Sequence, residues 1–377
     1  YKQGKVKVVE KNQEESCGSG AYQIKSYDKA SGASFVRNEE FKPEKGQYQV
    51  DRIVIKKTDV TTEVSELKKG TVDLIPDVIE TNKVSEASQD KNMAFNYYSR
   101  SAVGFVAMNA NNGATADKAV RQALMYATDR QGFCDSYFGW DKKASDEVKK
   151  VKGGYVPAAY WSPASVNCGA VVRNEETIDG LNTYAFDMDK ANQVLDEAGW
   201  VRGADGIREK DGQKLTVRMV STKGKDQLDT MLPMLEKAWG EELGVDFKTN
   251  LSEFNTMVAT VQGDDTVNDW EVSYMGWQFG SGDDTGINLL CQTGQTDNTA
   301  RLSDPDLDAL LDTALHTTDQ AASTAAYKEV YEKVSALCPY VAINGLSYYD
   351  LYNKKIKNLD TAALYDFVKA LDKATIE

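Results

Sequence analysis

The stretch EVSYMGWQFGSGDDTG, residues 271–286, places two aromatics, spaced glycines and two adjacent acids behind a run of alternating side chains. Such residues can do one of two things. Trp277 and Phe279 can wall a bound solute, Gly280 and Gly282 let the backbone approach it, and Asp283 or Asp284 can meet a cationic group on it. Alternatively Asp283 or Asp284, facing a second acid about 5–10 Å away in a pocket, can serve a hydrolase. Asp264-Asp265 is a second adjacent pair, and solvated loop acids are the default reading of both pairs. His316, in DTALHTTD, is the only histidine, so a Ser-His-Asp triad or a His-rich metal site would rest on it alone. It reads as a partly exposed helix residue. GxSxG and GxxxxGK[ST] are absent, and GSGAY at 18–22 lacks the third glycine of a dinucleotide fingerprint and precedes a strand. ADGIREKDG lacks the ligand spacing and closing Glu of an EF-hand. No metal and no cofactor are expected.

Composition narrows the classes further. The chain has 377 residues, 41% hydrophobic and 27% charged, with a formal net charge of −14. It is long enough for two or more lobes with cores of their own. The acidic balance is the wrong sign for nucleic acid and disfavours an anionic membrane surface. No apolar run reaches the roughly 18 residues of a membrane span, and no signal peptide is seen. The first residue is Tyr1, so a processed or truncated piece is expected. Cys17, Cys134, Cys168, Cys291 and Cys338 show no CxxC spacing. Cys168 and Cys291 sit in loop-like surroundings and could pair in an oxidising compartment, whereas Cys134 and Cys338 read equally as buried thiols.

The elements that must position these residues can be read from periodicity. Tyr22, Ile24 and Tyr27, then ASFVRNEEF after Ser31-Gly32, then Val50, Ile53 and Ile55 give a β-rich opening. TTEVSELKKG is a short helix stopped by Gly70, with Val64 and Leu67 inward; a strand begins at Val72. SAVGFVAMN, 101–109, is an apolar strand. DKAVRQALMYATDRQGFCDSYF reads as a helix capped by Asp117, and MDKANQVLDEAGW as one capped by Asp187 and stopped by Gly199. GGYVPAAYWSPAS must be irregular. A hairpin with turns at Asp205-Gly206 and Asp211-Gly212, a helix with a strand after it, a helix starting at a Ser252 cap, and the strand Glu271 to Trp277 follow. Two helices and two strands close the chain. Helices alternate with strands over 101–339, the pattern of an α/β lobe.

Several of these stretches together resemble the extracellular solute-binding proteins of ABC importers, in the oligopeptide/dipeptide-binding family. SGAYQIKSYDKASGASFVRNEEF resembles the family's hairpin, and VDRIVIKKTDVTTEVSELKKGTVDLI its strand, helix and G-x-x-D turn at Gly70 and Asp73. The most specific match is VGFVAMNANNGATADKAVRQALMYATDR, through Asn109, Val120, Arg121, Ala123, Leu124, Ala127, Asp129 and Arg130. DMDKANQVLDEAGW and EVSYMGWQFGSGDD match a further helix and the G-W strand end. The match runs nearly end to end.

The resemblance implies a periplasmic-binding-protein-like α/β fold of type II, the large three-lobe variety, with mixed sheets flanked by helices. It implies an incomplete lobe I from 1–99 and 340–377 and a ligand-binding lobe III from 100–339. The rest of lobe I, a lobe II and a lipidated N-terminus or signal peptide would lie upstream. It implies non-catalytic solute binding, peptide favoured, for a membrane permease of an ABC importer, by an extracellular, cell-surface lipoprotein or periplasmic monomer. An oligosaccharide or a metal complex is the alternative solute, and an interaction surface without a deep cleft a third class. The ligand-binding set carried over is Gly276, Trp277 and Gln278 at the strand end, with Tyr274, Phe279, Asp283, Asp284, and Phe105 and Ala107 on the 101–109 strand. Relatives place an aspartate for the ligand's α-amino group where Gly280 stands here, so Asp283 or Asp284 is its expected substitute; Tyr274 replaces an arginine that often precedes the G-W pair. Tyr155, Tyr160 and Trp161 are further candidates. Arg121, Asp129 and Arg130 read as a structural, ion-paired helix.

Overall fold

The structure, a computed structural model, describes residues 18–42, 48–59, 61–280, 286–363 and 365–377. Its contacts divide the chain into two units: Tyr1–Tyr98 with Trp140–Val151 and Tyr348–Glu377, and Ser99–Gly139 with Lys152–Ser347. The strands Met93–Met108 and Tyr340–Asn353 each contribute residues to both. The insertion 140–151 belongs with the first unit for a packing reason: Ala144, Val148 and Val151 join Val64, Leu67, Val84, Met93 and Tyr349 in its core.

In the first unit, Tyr22–Asp28, Gly32–Arg37 and Arg52–Lys56 form an antiparallel three-stranded sheet. Its first turn is held by the Asp28 carboxylate, which accepts from Ala30 N, Ser31 N and Ser31 Oγ at 3.1, 2.8 and 2.7 Å. The helix Glu63–Lys69 buries Val64 and Leu67 and ends at Gly70 in the left-handed region, φ 72°. Leu74–Val78 pairs antiparallel with Tyr340–Asn353 from Tyr349↔Val78 to Tyr352↔Leu74.

In the second unit, five strands lie side by side in the order Asp246–Ser252, Thr216–Thr222, Val272–Gln278, Met93–Met108, Tyr340–Asn353. Thr216–Thr222 runs parallel to Asp246–Ser252 over seven paired positions, but parallel to Val272–Gln278 only at Met219↔Val272 and Val220↔Ser273. Val272–Gln278 is antiparallel to Met93–Met108 over its whole length, so the sheet is mixed. The helices Pro305–His316 and Gln320–Leu337 pack Leu307, Leu311, Tyr327, Val330 and Tyr331 against one face, with Phe105, Tyr160, Trp161, Phe279 and Tyr340 in the same cluster.

Helix starts follow the expected chemistry in part. Asp117 accepts from Ala119 N, and Asp187 from Lys190 N at 2.8 Å. The helix expected to run through 117–138 is two, Lys118–Tyr126 and Arg130–Tyr137, because Asp129 caps the second by accepting from Gly132 N at 2.7 Å. Ser252 ends a strand instead of capping Phe254–Gln262, whose N-cap residue is Glu253.

Two other expectations are corrected. Among the described residues Arg121 and Arg130 have no ion-pair partner. Arg121 donates to the carbonyls of Thr115, Ala116 and Leu337, and Arg130 to those of Ala342, Tyr184 and Thr183. Both are buried, and burial lowers both pKa values, that of Arg130 to about 10. Carbonyl dipoles stand where carboxylates would. Cys168 and Cys291 are buried in the large cluster and are not joined in a disulfide, and Cys134 and Cys338 are buried elsewhere, likewise outside any disulfide; Cys17 lies outside the described residues.

One buried carboxylate carries a pH signature. Asp350 is fully buried in the first unit, and its Oδ1 accepts from Asp77 N at 3.0 Å. Asp77 has φ 57° and accepts from the Tyr98 hydroxyl at 2.8 Å. Burial raises the Asp350 pKa above 3.8, with the Asp77 charge acting in the same direction. The folded chain therefore holds this proton more tightly than the unfolded chain. The carboxyl's contribution to stability is complete below its ordinary value and is lost as pH rises through the folded value. Asp350→Asn is expected to gain stability relative to the parent chain between about pH 4 and about pH 7. Urea midpoints at the two pH values measure this, and a parallel shift of both proteins would refute it.

Candidate functional site

The strand Val272–Gln278 is fixed at its start by a buried acid. Glu271 receives Arg218 through Nη2 to Oε1 at 2.6 Å and Nε to Oε2 at 2.8 Å, and Oε2 also accepts from Arg218 N at 2.8 Å. Asn109 N donates to Glu271 O at 2.8 Å, and Asn109 Nδ2 reaches Val267 O and Trp270 O. The only trace of this base in the sequence is an acid immediately before an apolar strand; its burial and its Arg218 partner depend on the fold.

From Val272 the antiparallel register runs Val272↔Met108, Tyr274↔Val106, Gly276↔Gly104, Gln278↔Ala102. The two-residue period then divides the side chains. Met275, Trp277 and Phe279 turn to the aromatic cluster, where Met275 and Trp277 are only partly buried. Phe279 is inside, its ring 4.6 Å from that of Trp161 and 6.2 Å from that of Tyr160. On the other face Tyr274 is buried, while Gly276 and Gln278 are exposed. The Tyr274 hydroxyl donates to Asn344 Oδ1 at 2.9 Å, a buried bond that burial accompanies by raising the phenol pKa. Gly104 makes room for it: a Cβ there would lie 2.4 Å from Asn344 Oδ1 and 2.8 Å from the Tyr274 hydroxyl. At Gly276, by contrast, a Cβ would meet only Val103 O, at 3.9 Å.

The expected site residues therefore separate. Phe105 and Ala107 are 1% and 0% exposed. With Tyr160, Trp161 and Phe279 they form the packing behind Trp277 and offer a solute no surface as placed. Tyr155 is half-buried on the short strand Gly154–Tyr155. Gly276, Trp277 and Gln278 stay together at a strand end with accessible surface. Asp283 and Asp284 lie outside the described residues. Asp264 is solvated and ion-paired with Arg301 at 3.0 Å. His316 is exposed, its Nδ1 2.8 Å from Asp312 O. Among the described residues no cluster of His, Cys, Asp and Glu could hold a metal ion.

Backbone direction is the more telling feature. Phe279 N donates to Ser101 O at 2.8 Å, so odd-numbered residues here point their amides and carbonyls at Met93–Met108. Even-numbered residues point theirs to the opposite edge. On that edge the parallel partner stops at Ser273, and Ser221 Oγ takes the Tyr274 carbonyl at 2.8 Å. Among the described residues, no strand pairs with Gly276 or Gln278 there. Their N–H and C=O groups form a short open edge beside a half-exposed indole.

Comparisons with known proteins agree on one lineage. Residues 4–324 match the family model of bacterial extracellular solute-binding proteins, family 5 Middle. The oligopeptide-binding protein AppA of Bacillus subtilis is 23% identical over 336 residues, 87% of this chain and 56% of its own length. Heme-binding protein A of Haemophilus influenzae is 25% identical over 333 residues, 86% of this chain and 54% of its own. The chain thus spans little more than half the length of these curated relatives. Among solved structures, Bacillus subtilis AppA in complex with a nonapeptide superposes with a TM-score of 0.76 at 20% identity, covering 100% of this chain and 70% of that one. NikA from Brucella suis in complex with Fe(III)-EDTA gives 0.76 at 20% identity, covering 96% and 68%. The shared fold is the expected periplasmic-binding-protein-like α/β type.

The two facing glycines make a contrast that can be measured. Gly104→Ala is expected to cost about 1–3 kcal/mol, because the methyl group must displace a buried hydrogen-bonded pair. Gly276→Ala should change the unfolding free energy by less than about 0.5 kcal/mol. Denaturant unfolding of both variants checks this; equal effects would contradict the assigned packing.

Proposed function

We infer the function from one premise: the chain belongs to the bacterial extracellular solute-binding proteins, family 5. On that premise it binds a solute without altering it and hands it to the membrane permease of an ABC importer, outside the cytoplasmic membrane, as a monomer. The first unit corresponds to lobe I and the second to lobe III. Among the described residues no helix is long and apolar enough to cross a membrane. A lipid anchor is the proposed means of retention at the cell surface.

The solute is a peptide, and the open edge at Gly276 and Gln278 carries that reading. Amide and carbonyl groups unpaired at a strand end can continue their ladder along the backbone of an extended peptide, whatever its side chains. An oligosaccharide or a metal chelate has no such repeating donor and acceptor row. Trp277 supplies an apolar wall next to the ladder, and Gly276 leaves the approach unobstructed. Asp283 or Asp284, a few residues further on, is proposed to meet the peptide's α-amino group, the position that Gly280 leaves without a charge. Among the similar solved structures one is in complex with a nonapeptide and another with Fe(III)-EDTA, and titration separates these two classes of solute. No observation favours the hydrolase alternative.

The test is a titration of the chain with short peptides of mixed sequence, followed by tryptophan emission and calorimetry. Peptides are expected to bind and shift the emission, and Trp277→Ala to weaken binding by at least about tenfold. Binding of ferric or nickel chelates or oligosaccharides with none of peptides would overturn the choice of solute. Peptide binding that Trp277→Ala leaves unchanged would overturn the site.

A further inference from the structure

We propose that the first unit carries a separate anion site, formed by converging lysines, that takes a ligand bearing several phosphate groups. Three stretches distant in sequence meet around a concavity of about 530 Å³: Lys68 and Lys69 at a helix end, Lys91 in a loop, and Lys354 and Lys355 in the turn after Tyr340–Asn353 with Lys357 on the short strand that follows. Glu377 is the one acid in the lining. The volume is in the range of small-molecule sites, about 300–1,000 Å³.

This charge runs against the balance of the whole chain, which has 58 acids to 44 Lys and Arg. Like charges gathered in a concave surface repel one another and focus their field on whatever fills it. The frame that gathers them is built. Lys354 N donates to Asn92 O at 2.8 Å and Lys354 Nζ to Lys91 O at 2.8 Å, which ties the turn to the loop. The turn itself is held by Ile356–Lys357 pairing with Thr375–Ile376, and by Glu377 N donating to Lys355 O at 2.9 Å.

Internal acids neutralise only part of the cluster. Lys68 pairs with Glu86 at 2.8 Å, Lys355 with Asp73 at 2.6 Å and Lys357 with Glu377 at 3.3 Å. Among the described residues, Lys69, Lys91 and Lys354 have no carboxylate partner. Lys68 and Lys69 also suit the negative end of their helix, which explains those two and not the four from elsewhere. No arginine lines the site, so its cationic donors are all lysine ammonium groups, without the planar fork that pairs with carboxylate or phosphate. Ammonium groups on flexible stems act as point charges, which fits a run of phosphates.

Such a ligand could be a soluble polyphosphate or the headgroups of an anionic lipid, and the experiment separates the two. The 377-residue chain is titrated with tripolyphosphate by calorimetry at low ionic strength, and sedimented with phosphatidylglycerol vesicles against phosphatidylcholine vesicles. A triple variant, Lys69→Gln, Lys91→Gln and Lys354→Gln, is compared with a control that removes the same charge elsewhere, Lys223→Gln, Lys237→Gln and Lys248→Gln. Thermal midpoints establish that both fold. The site variant is expected to weaken binding about tenfold and the control by less than about threefold. Tripolyphosphate binding with that pattern supports a soluble ligand; phosphatidylglycerol binding alone, with the same pattern, supports a headgroup. Equal losses in both variants, or no binding to either probe, would overturn the site.

Discussion

The antiparallel register between Val272–Gln278 and Met93–Met108 is the constraint on which the rest of the second unit turns. It sets Gly276 opposite Gly104, where a larger residue would have to displace the Tyr274 hydroxyl and the Asn344 amide beside it. A slip of one residue would turn Trp277 to the Tyr274 face and carry Tyr274 into the aromatic cluster, since side chains alternate with period two. Glu271 and Arg218 fix the start of the same strand, so its register is held at the beginning and the middle. The strand's end is then free to be half exposed without loss of definition.

That arrangement explains why one strand can serve both packing and recognition. Trp277 is partly buried against the aromatic cluster, and its remaining surface lies beside the open edge. Behind it, Phe105, Tyr160, Trp161, Phe279 and Tyr340 form a ring cluster with centroid separations of 4.6 to 6.5 Å. A rigid aromatic base costs little entropy to hold in place, and it keeps the indole ready for a ligand. The mixed sheet contributes as well: Thr216–Thr222 leaves Val272–Gln278 after Ser273, and so the edge opens where the aromatic wall begins.

Much of the fold was legible because it rests on local chemistry. Asp117 and Asp187 cap, Gly70 and Gly199 stop, and Asp211-Gly212 turns, each from its own side chain or lack of one. The G-W strand end was legible for the same reason, from alternation followed by glycines. What stayed hidden depends on partners far away in sequence. Arg121 and Arg130 look like ion-pair residues on a helix, yet their acceptors include the carbonyls of Leu337 and Ala342. Phe105 and Ala107 belong to an apolar run that would look the same lining a site or filling a core. The first half of Met93–Met108 was missed because Asn96, Ser99 and Arg100 interrupt its hydrophobic pattern. The lysines of the first unit are scattered singly or in short runs, and only the folded turn brings them together.

The central claim, that Gly276 and Gln278 present an unpaired backbone edge to an extended solute, is tested most directly by amide hydrogen exchange resolved to single residues. Trp277, already bonded toward Met93–Met108, should exchange slowly with and without peptide, whereas the Gly276 and Gln278 amides should exchange quickly in the free chain and slow sharply when peptide saturates it. Amides of Gly276 and Gln278 that are protected without ligand, or that exchange equally fast with it, would contradict the account.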